Sequence, residues 1–224
     1  MKVDEAKVRR FQYLVLNFWE KEGRKTLPWR LTIDPWRILL AEILLRKTSS
    51  RQIIDVYEQL SVLSPEQIAS LSVEQLESLL RPLGMYRVRA VQLLSICQAV
   101  AKKGLHSLEE PSFLAQLPGV GRYINNAVLC FAFGQPKPAL DTNMIRVLRR
   151  VFGVTSQRSR AREDLHLWQF AESIIPDQRC REFNWGILDL AASICKHRNP
   201  HCSECPLNEL CNFYVEVKVA KKAI

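Results

Sequence analysis

The chain has 224 residues, 47% of them hydrophobic and 25% charged, which is enough for one large or two small domains with a sizeable core and excludes disorder or a fibrous repeat as a global description. The best apolar run, Ile38 to Leu45, is interrupted by Glu42 and falls far short of the ~20 residues that cross a bilayer; the charged start Met1-Lys2-Val3-Asp4-Glu5 has none of the apolar character of a secretory signal. Lys and Arg number 32 against 23 acidic residues, a formal net charge of +9, which favours a polyanionic partner, nucleic acid first, although a basic surface can also be merely solvated.

Apolar residues recur at spacings of three and four between short breaks, and strand alternation is nearly absent, so the chain reads as all-α. Val8, Phe11, Leu14, Val15 and Phe18 share one face of a first helix. Trp36 to Arg46 is a second and Gln52 to Leu60 a third. Ser64-Pro65-Glu66-Gln67 and Ser72-Val73-Glu74-Gln75 each set a serine three residues before glutamine, the pattern of a capping box. Leu83-Gly84-Met85 then breaks the chain before a long amphipathic helix from Val88 to Lys102.

Leu117-Pro118-Gly119-Val120-Gly121-Arg122-Tyr123 is a glycine-paired turn opening directly into another helix. Such a turn serves as a plain helix connection, or it presents exposed amides to a phosphate. Gly134 to Ala139 breaks the chain again, and Asp141 follows in the position of a helix cap. A carboxylate held there could also stabilise the positive charge that develops on a deoxyribose as its base departs. The polar stretch Thr155 to Asp164 reads as a mobile connection.

Seven cysteines occur, and the last four form Cys195-x6-Cys202-x2-Cys205-x5-Cys211. An odd count and the absence of a secretory signal argue against disulfides. Four close thiolates point to a metal. Zinc, with help from His197 or His201, remains open, but one CxxC pair flanked by single cysteines better suits a four-iron four-sulfur (4Fe-4S) cluster, whose corners need ligands from different directions. Cys97 and Cys130 lie on apolar helical faces and read as core; Cys180 has no assignment.

The hairpin, the aspartate after it and the cysteine spacing, in that order, together with Glu182 to Cys195, make the chain resemble the helix-hairpin-helix DNA glycosylases of the endonuclease III class. The resemblance implies a monomer of two helical lobes, a six-helix lobe over 26–135 and a cluster lobe made of 1–25 and 136–224, with double-stranded DNA carrying a mismatched or damaged base across the groove between them. It implies a cytoplasmic, nucleoid-associated location in a prokaryote. It makes Asp141 the catalytic carboxylate, Leu117, Gly119, Val120, Gly121 and Arg122 the DNA-binding hairpin, and Cys195, Cys202, Cys205 and Cys211 the cluster ligands. Bifunctional members carry lysine where this chain has Tyr123, and a phenol cannot form their Schiff base. Base release without efficient strand cleavage is therefore expected, against the plainer reading of Tyr123 as a half-buried aromatic.

Leu27-Pro28-Trp29-Arg30, Asp34-Pro35-Trp36 and Ala41 to Thr48 look like the opening shared by adenine-DNA and thymine-DNA mismatch glycosylases. Glu42 matches their acidic base-pocket residue. An exposed pair with Arg46 is its plainer reading, whereas a desolvated carboxyl among Ile38, Leu39 and Leu45 could donate a proton or hydrogen-bond a flipped base. Arg46-Lys47-Thr48 in place of the glutamines of adenine glycosylases, Tyr123, and a chain ending at Ile224 place the resemblance nearest the thymine-DNA mismatch branch. Arg46, Lys47 and Ser50, with Met85 or Tyr86, are the candidates to fill the gap and touch the orphan guanine. Two other functions stay in view, adenine excision opposite guanine or oxidised guanine, and a cluster-bearing DNA-binding module without catalysis. No role is drawn for Thr142 and Asn143.

Overall fold

The computed structural model describes residues 4–216, so Met1 to Val3 and the carboxy-terminal 217–224, on which the readings of the chain's two ends partly rest, lie outside it. Among the described residues the secondary structure is helical, with no strand, and no helix is long and apolar enough to cross a membrane. The chain divides into two compact units, one continuous, Lys25–Phe133, and one discontinuous, Met1–Arg24 with Gly134–Ile224.

The continuous unit is built on α2 (Pro35–Leu44), which is apolar nearly all round and buried from Trp36 to Leu44 except Arg37, as expected of a helix at the centre of a core. Around it come α3 (Ser50–Ser61), the short α4 (Pro65–Ala69) and α5 (Val73–Leu80), α6 (Tyr86–Lys103), α7 (Pro111–Gln116) and α8 (Arg122–Phe133). α8 packs on α2, and α4 and α5 pack on α6. Both expected capping boxes form. The Gln67 side chain accepts from the Ser64 amide at 2.8 Å while Ser64 Oγ accepts from the Gln67 amide at 3.3 Å, and Ser72 and Gln75 do the same at 2.8 and 3.2 Å. Each serine cap contributes about 1 kcal/mol, which matters for helices of one or two turns.

The sequence places the end of the second helix at Arg46, but α2 stops at Leu44. The reason lies on another element. The buried Arg89 guanidinium of α6 donates to the carbonyls of Ile43 and Leu44, both at 3.2 Å, satisfying orphan acceptors of the helix end and letting the chain turn away.

In the discontinuous unit, α1 (Glu5–Glu22), α9 (Thr142–Phe152), α10 (Leu165–Ile174) and α11 (Cys180–Ser193) share one core. Phe11 meets Phe152 and Phe183 edge-on at 5.1 and 5.7 Å, and Phe152 meets Phe170 at 5.2 Å. Gly186 lets α11 lie close against α1, because a Cβ there would stand 3.0 Å from the Val15 carbonyl oxygen. The segment 155–164 is a correction to the sequence reading. It is held rather than free, since the buried Asp164 accepts from Ser156 Oγ at 2.7 Å and from the Gln157 amide at 3.2 Å before capping α10 through the His166 amide at 3.0 Å. The Ser156 hydroxyl, with those two amides, keeps the Asp164 carboxyl below its usual pKa despite burial. The polar residues that suggested a linker are the ones that tie it down.

Candidate active site and nucleic-acid interface

Asp141 is the N-cap of α9, its Oδ1 accepting from the Asn143 and Met144 amides at 2.9 and 2.8 Å. Its other oxygen, Oδ2, accepts from the Asn143 side-chain amide at 2.6 Å. Asn143 Oδ1 in turn accepts from Arg146 at 3.0 Å, and Arg146 also donates to the carbonyls of Cys195 at 2.8 Å and Ala191 at 3.0 Å. Burial pushes the Asp141 pKa up, while the Met144 and Asn143 donors and the Arg146 charge pull it down, with burial prevailing. The carboxylate is thus fixed in direction by donors on two sides and carries charge at an energetic cost.

The turn that delivers Asp141 is pinned to α11. The buried Asn184 accepts from the Ala139 amide at 2.8 Å and donates to the Lys137 and Cys180 carbonyls at 3.1 and 2.8 Å. Cys180, unassigned from sequence, lies with its sulfur 3.4 and 3.3 Å from the carbonyl oxygens of Gly134 and Gln135. It is a buried structural thiol placed apart from the four cysteines that follow. Neither Asn143 nor Asn184 is singled out by the sequence; an asparagine two residues after a cap aspartate is the one local signal.

In the hairpin the structure separates backbone from side chain. Leu117 and Val120 point inward, at 4% and 6% exposure, so only their backbone could meet a strand, whereas Gly119, Gly121 and Arg122 are exposed. Gly119 has φ +78°, a conformation that favours glycine, and a Cβ on it would displace the Arg46 guanidinium, which stands 2.4 Å away. A Cβ on Gly121 would meet nothing within 4 Å, and its bareness leaves room for an approaching ligand. Tyr123 lies half-buried in the first turn of α8. Glu42 is 6% exposed on α2, which supports the desolvated reading over an exposed pair with Arg46.

Arg46, Lys47 and Met85, far apart in sequence, line one pocket with Ile43, Val88, Arg89 and Gln92. Arg46 and Lys47 are exposed, Met85 is 55% exposed, and Arg46 donates to Gln92 at 3.2 Å. Lys47 and Met85 both adopt left-handed backbone, φ +54° and +50°, a conformation that costs a non-glycine residue of order 1–3 kcal/mol and persists only where its surroundings impose it. Tyr86 instead lies within reach of Arg81 and Arg87, cations 5.5 and 5.7 Å from its ring centre, and Ser50 begins α3; neither lines this pocket.

Cys195, Cys202, Cys205 and Cys211 line a single pocket whose other walls include Val147, Leu190, Ile194, Leu207 and Phe213. Burial, with the neighbouring thiols adding to it, raises the pKa of Cys202 and Cys211 and pushes that of Cys205 to about 12. Among the described residues no three His, Cys, Asp or Glu side chains converge on one ion position. Arg150, which no sequence pattern marks out, is buried beside the thiols and donates to Cys195 Sγ at 3.2 Å and to the Lys196 and His197 carbonyls at 2.7 and 3.1 Å. On the same unit, an open groove of about 690 Å³ starts at Thr142, next to Asp141, and is lined by Arg146, Arg149, Arg158 and His197 with no carboxylate.

The chain is 40% identical to the thymine/uracil-DNA glycosylase of Pyrobaculum aerophilum over 92% of each chain. It is 41% identical to the thymine-DNA glycosylase of Aeropyrum pernix, covering 95% of this chain and 97% of that one. It is also 33% identical to the adenine DNA glycosylase of Buchnera aphidicola from Acyrthosiphon pisum, covering 94% of this chain but 61% of the relative. Among solved structures, that of a thermostable thymine-DNA glycosylase superposes with a TM-score of 0.88 at 33% identity, over 96% of this chain and all of that one. Residues 40–172, more than half of the chain, match the model of the HhH-GPD superfamily base excision DNA repair protein, and the chain belongs to the HhH-GPD superfamily.

Proposed function

We propose that the protein is a monofunctional DNA glycosylase that flips thymine or uracil mispaired with guanine out of the duplex and hydrolyses its bond to the sugar. The observation that carries this reading is Asp141, a carboxylate held at a helix start by the Asn143 and Met144 donors and raised in pKa by burial. The likeness to thymine/uracil-DNA glycosylases over nearly the whole chain supports the same choice of base. In the reaction the sugar-to-base bond breaks with its electron pair leaving on the base. Asp141 stabilises the cationic sugar, and a water oriented by that carboxylate bonds the anomeric carbon and passes its proton to Asp141, while the departing base takes up one proton from Glu42 or solvent to leave as the neutral base.

Glu42 and Tyr123 hold the flipped base, Glu42 as a desolvated carboxyl that hydrogen-bonds or protonates it. Because Tyr123 offers no amine, the abasic strand stays intact. A mismatch lowers the cost of extrusion. Arg46 and Lys47 touch the orphan guanine, and Met85, exposed and unbranched where Tyr86 is flanked by two arginines, fills the gap. The exposed amides around Gly119 and Gly121, with the basic groove of Arg149 and Arg158, grip the phosphodiester backbone.

Cys195, Cys202, Cys205 and Cys211 would hold a 4Fe-4S cluster. An all-sulfur donor set around one apolar pocket and an arginine aimed at a sulfur fit an iron-sulfur cluster. When bound, the cluster supplies a rigid cross-link, since hydrolysis needs no electron transfer.

The test is single-turnover reaction on labelled duplexes carrying G·T, G·U, A·G, adenine opposite oxidised guanine, or a preformed abasic site, each with and without alkali. Breaks at G·T and G·U that appear only after alkali are expected. Breaks confined to the adenine substrates would replace this reading with the adenine one. Binding without breaks on any substrate would leave only the non-catalytic module.

A further inference from the structure

Arg89 spends its whole guanidinium on backbone and loop, and none of it on a carboxylate. Nε donates to the Gly84 carbonyl at 3.1 Å, Nη1 to the Ile43 and Leu44 carbonyls at 3.2 Å each, and Nη2 to the Arg46 carbonyl and to Thr48 Oγ1, the latter at 2.7 Å. These acceptors match the five N–H donors an arginine carries. Their positions in the chain are informative. Arg46 and Thr48 bracket Lys47, and Gly84 immediately precedes Met85, so one side chain grips the neighbours of both left-handed residues in this part of the unit. Thr48 completes the brace by donating its own hydroxyl to the Arg46 carbonyl at 3.1 Å. Lys47 and Met85 therefore face one pocket because Arg89 fixes the 46–48 loop and the 84–85 turn against each other.

We infer that Arg89 is a positioning residue for recognition of the orphan base: it holds Arg46 and Lys47 on one side and Met85 on the other at a set separation, so that the wedge and the guanine contacts act as one unit. This rests on the proposed glycosylase reading and on the roles given there to those three residues. Arg89 does not touch DNA in this account. Lysine cannot replace it, because a single ammonium offers three donors from one point where five are needed over a planar fork.

The experiment uses the full chain and duplexes holding a tetrahydrofuran abasic analogue opposite G or opposite A. Affinities come from fluorescence anisotropy, and 2-aminopurine beside the analogue reports stacking at the gap. Wild type is expected to favour guanine by about tenfold, the scale of one well-placed base contact. Arg89→Gln and Arg89→Lys should bring the ratio close to one and alter the 2-aminopurine signal. Thr48→Val, which removes one acceptor and leaves the buried arginine in place, should lower the ratio partway and decides the matter if the Arg89 variants do not fold. A wild-type ratio of one, or variants that weaken both duplexes equally, would overturn the proposal. Uracil excision by wild type is measured in parallel. Its absence would sink the glycosylase reading, while the affinity ratio would still decide the role of Arg89.

Discussion

The Asn143 side-chain amide lies 2.6 Å from Asp141 Oδ2, and its own oxygen is held 3.0 Å from Arg146, so the direction of the carboxylate is set by a chain of donors that runs back to the Cys195 carbonyl. Asn143 donates to the ionised form and lowers the Asp141 pKa, while burial raises it. The mechanism needs the carboxylate, so excision should fall on acidification with a midpoint above the ordinary aspartate range. In Asn143→Leu one of the opposing donors is gone while the backbone amides remain, so the pKa rises further and the acid limb of the single-turnover profile should move to higher pH. The loss of rate should therefore be larger at the acid end of the profile than at its alkaline end. A profile that merely drops at all pH values would remove Asn143 from this role.

Asp141→Asn separates the two functions of that position. Asparagine caps a helix about as well as aspartate, so the melting temperature should change little. The negative charge facing the developing cation is lost, and the single-turnover rate should fall by roughly 10²–10³. Unfolding of the variant would show instead that the residue is chiefly structural.

Tyr123→Lys should add strand cleavage that needs no alkali, with a protein–DNA adduct trapped by borohydride, because a primary amine then stands where the imine can form. No adduct with an otherwise active variant would mean that residue 123 does not reach the abasic sugar.

Protein purified without oxygen should be brown and carry about four iron and four sulfide per chain, the content of one 4Fe-4S cluster. Cys202→Ser should lose the visible absorbance and lower thermal stability, since one ligand of the proposed cluster and the cross-link it would supply are removed. One zinc in a colourless protein would refute the cluster.

Asn184→Ala tests the support beneath Asp141. Three hydrogen bonds of a fully buried amide disappear and leave the Ala139 amide and the Lys137 and Cys180 carbonyls without it. Destabilisation of about 2–4 kcal/mol is expected from such unsatisfied groups, measurable as a shift of the urea midpoint. A neutral substitution would show that the 134–140 turn holds itself.

Much of this was readable from the chain because its signals are local. The Ser64 and Ser72 boxes, the Gly119 and Gly121 turn and the cap at Asp141 each lie within a few residues of what they specify. The end of α2 is not legible in the sequence because its cause, Arg89, lies about forty-five residues away, and periodicity carries no trace of a side chain that reaches across. Thr155 to Asp164 misleads for a related reason: a polar composition suggests solvent, yet Ser156 and Asp164 spend their polarity on each other. Asn184, Arg150 and Arg89 were invisible as site supports, because a buried polar residue looks like a surface one until its partners are placed.

The most direct measurement identifies the free base released from G·T and G·U duplexes, beside duplexes with adenine opposite guanine or oxidised guanine, by mass spectrometry with wild type and Asp141→Asn. The account predicts thymine and uracil from the first pair with wild type, and release slower by roughly 10²–10³ with Asp141→Asn, although that variant still binds the same duplexes. Release of adenine alone, or undiminished release by Asp141→Asn, would contradict it.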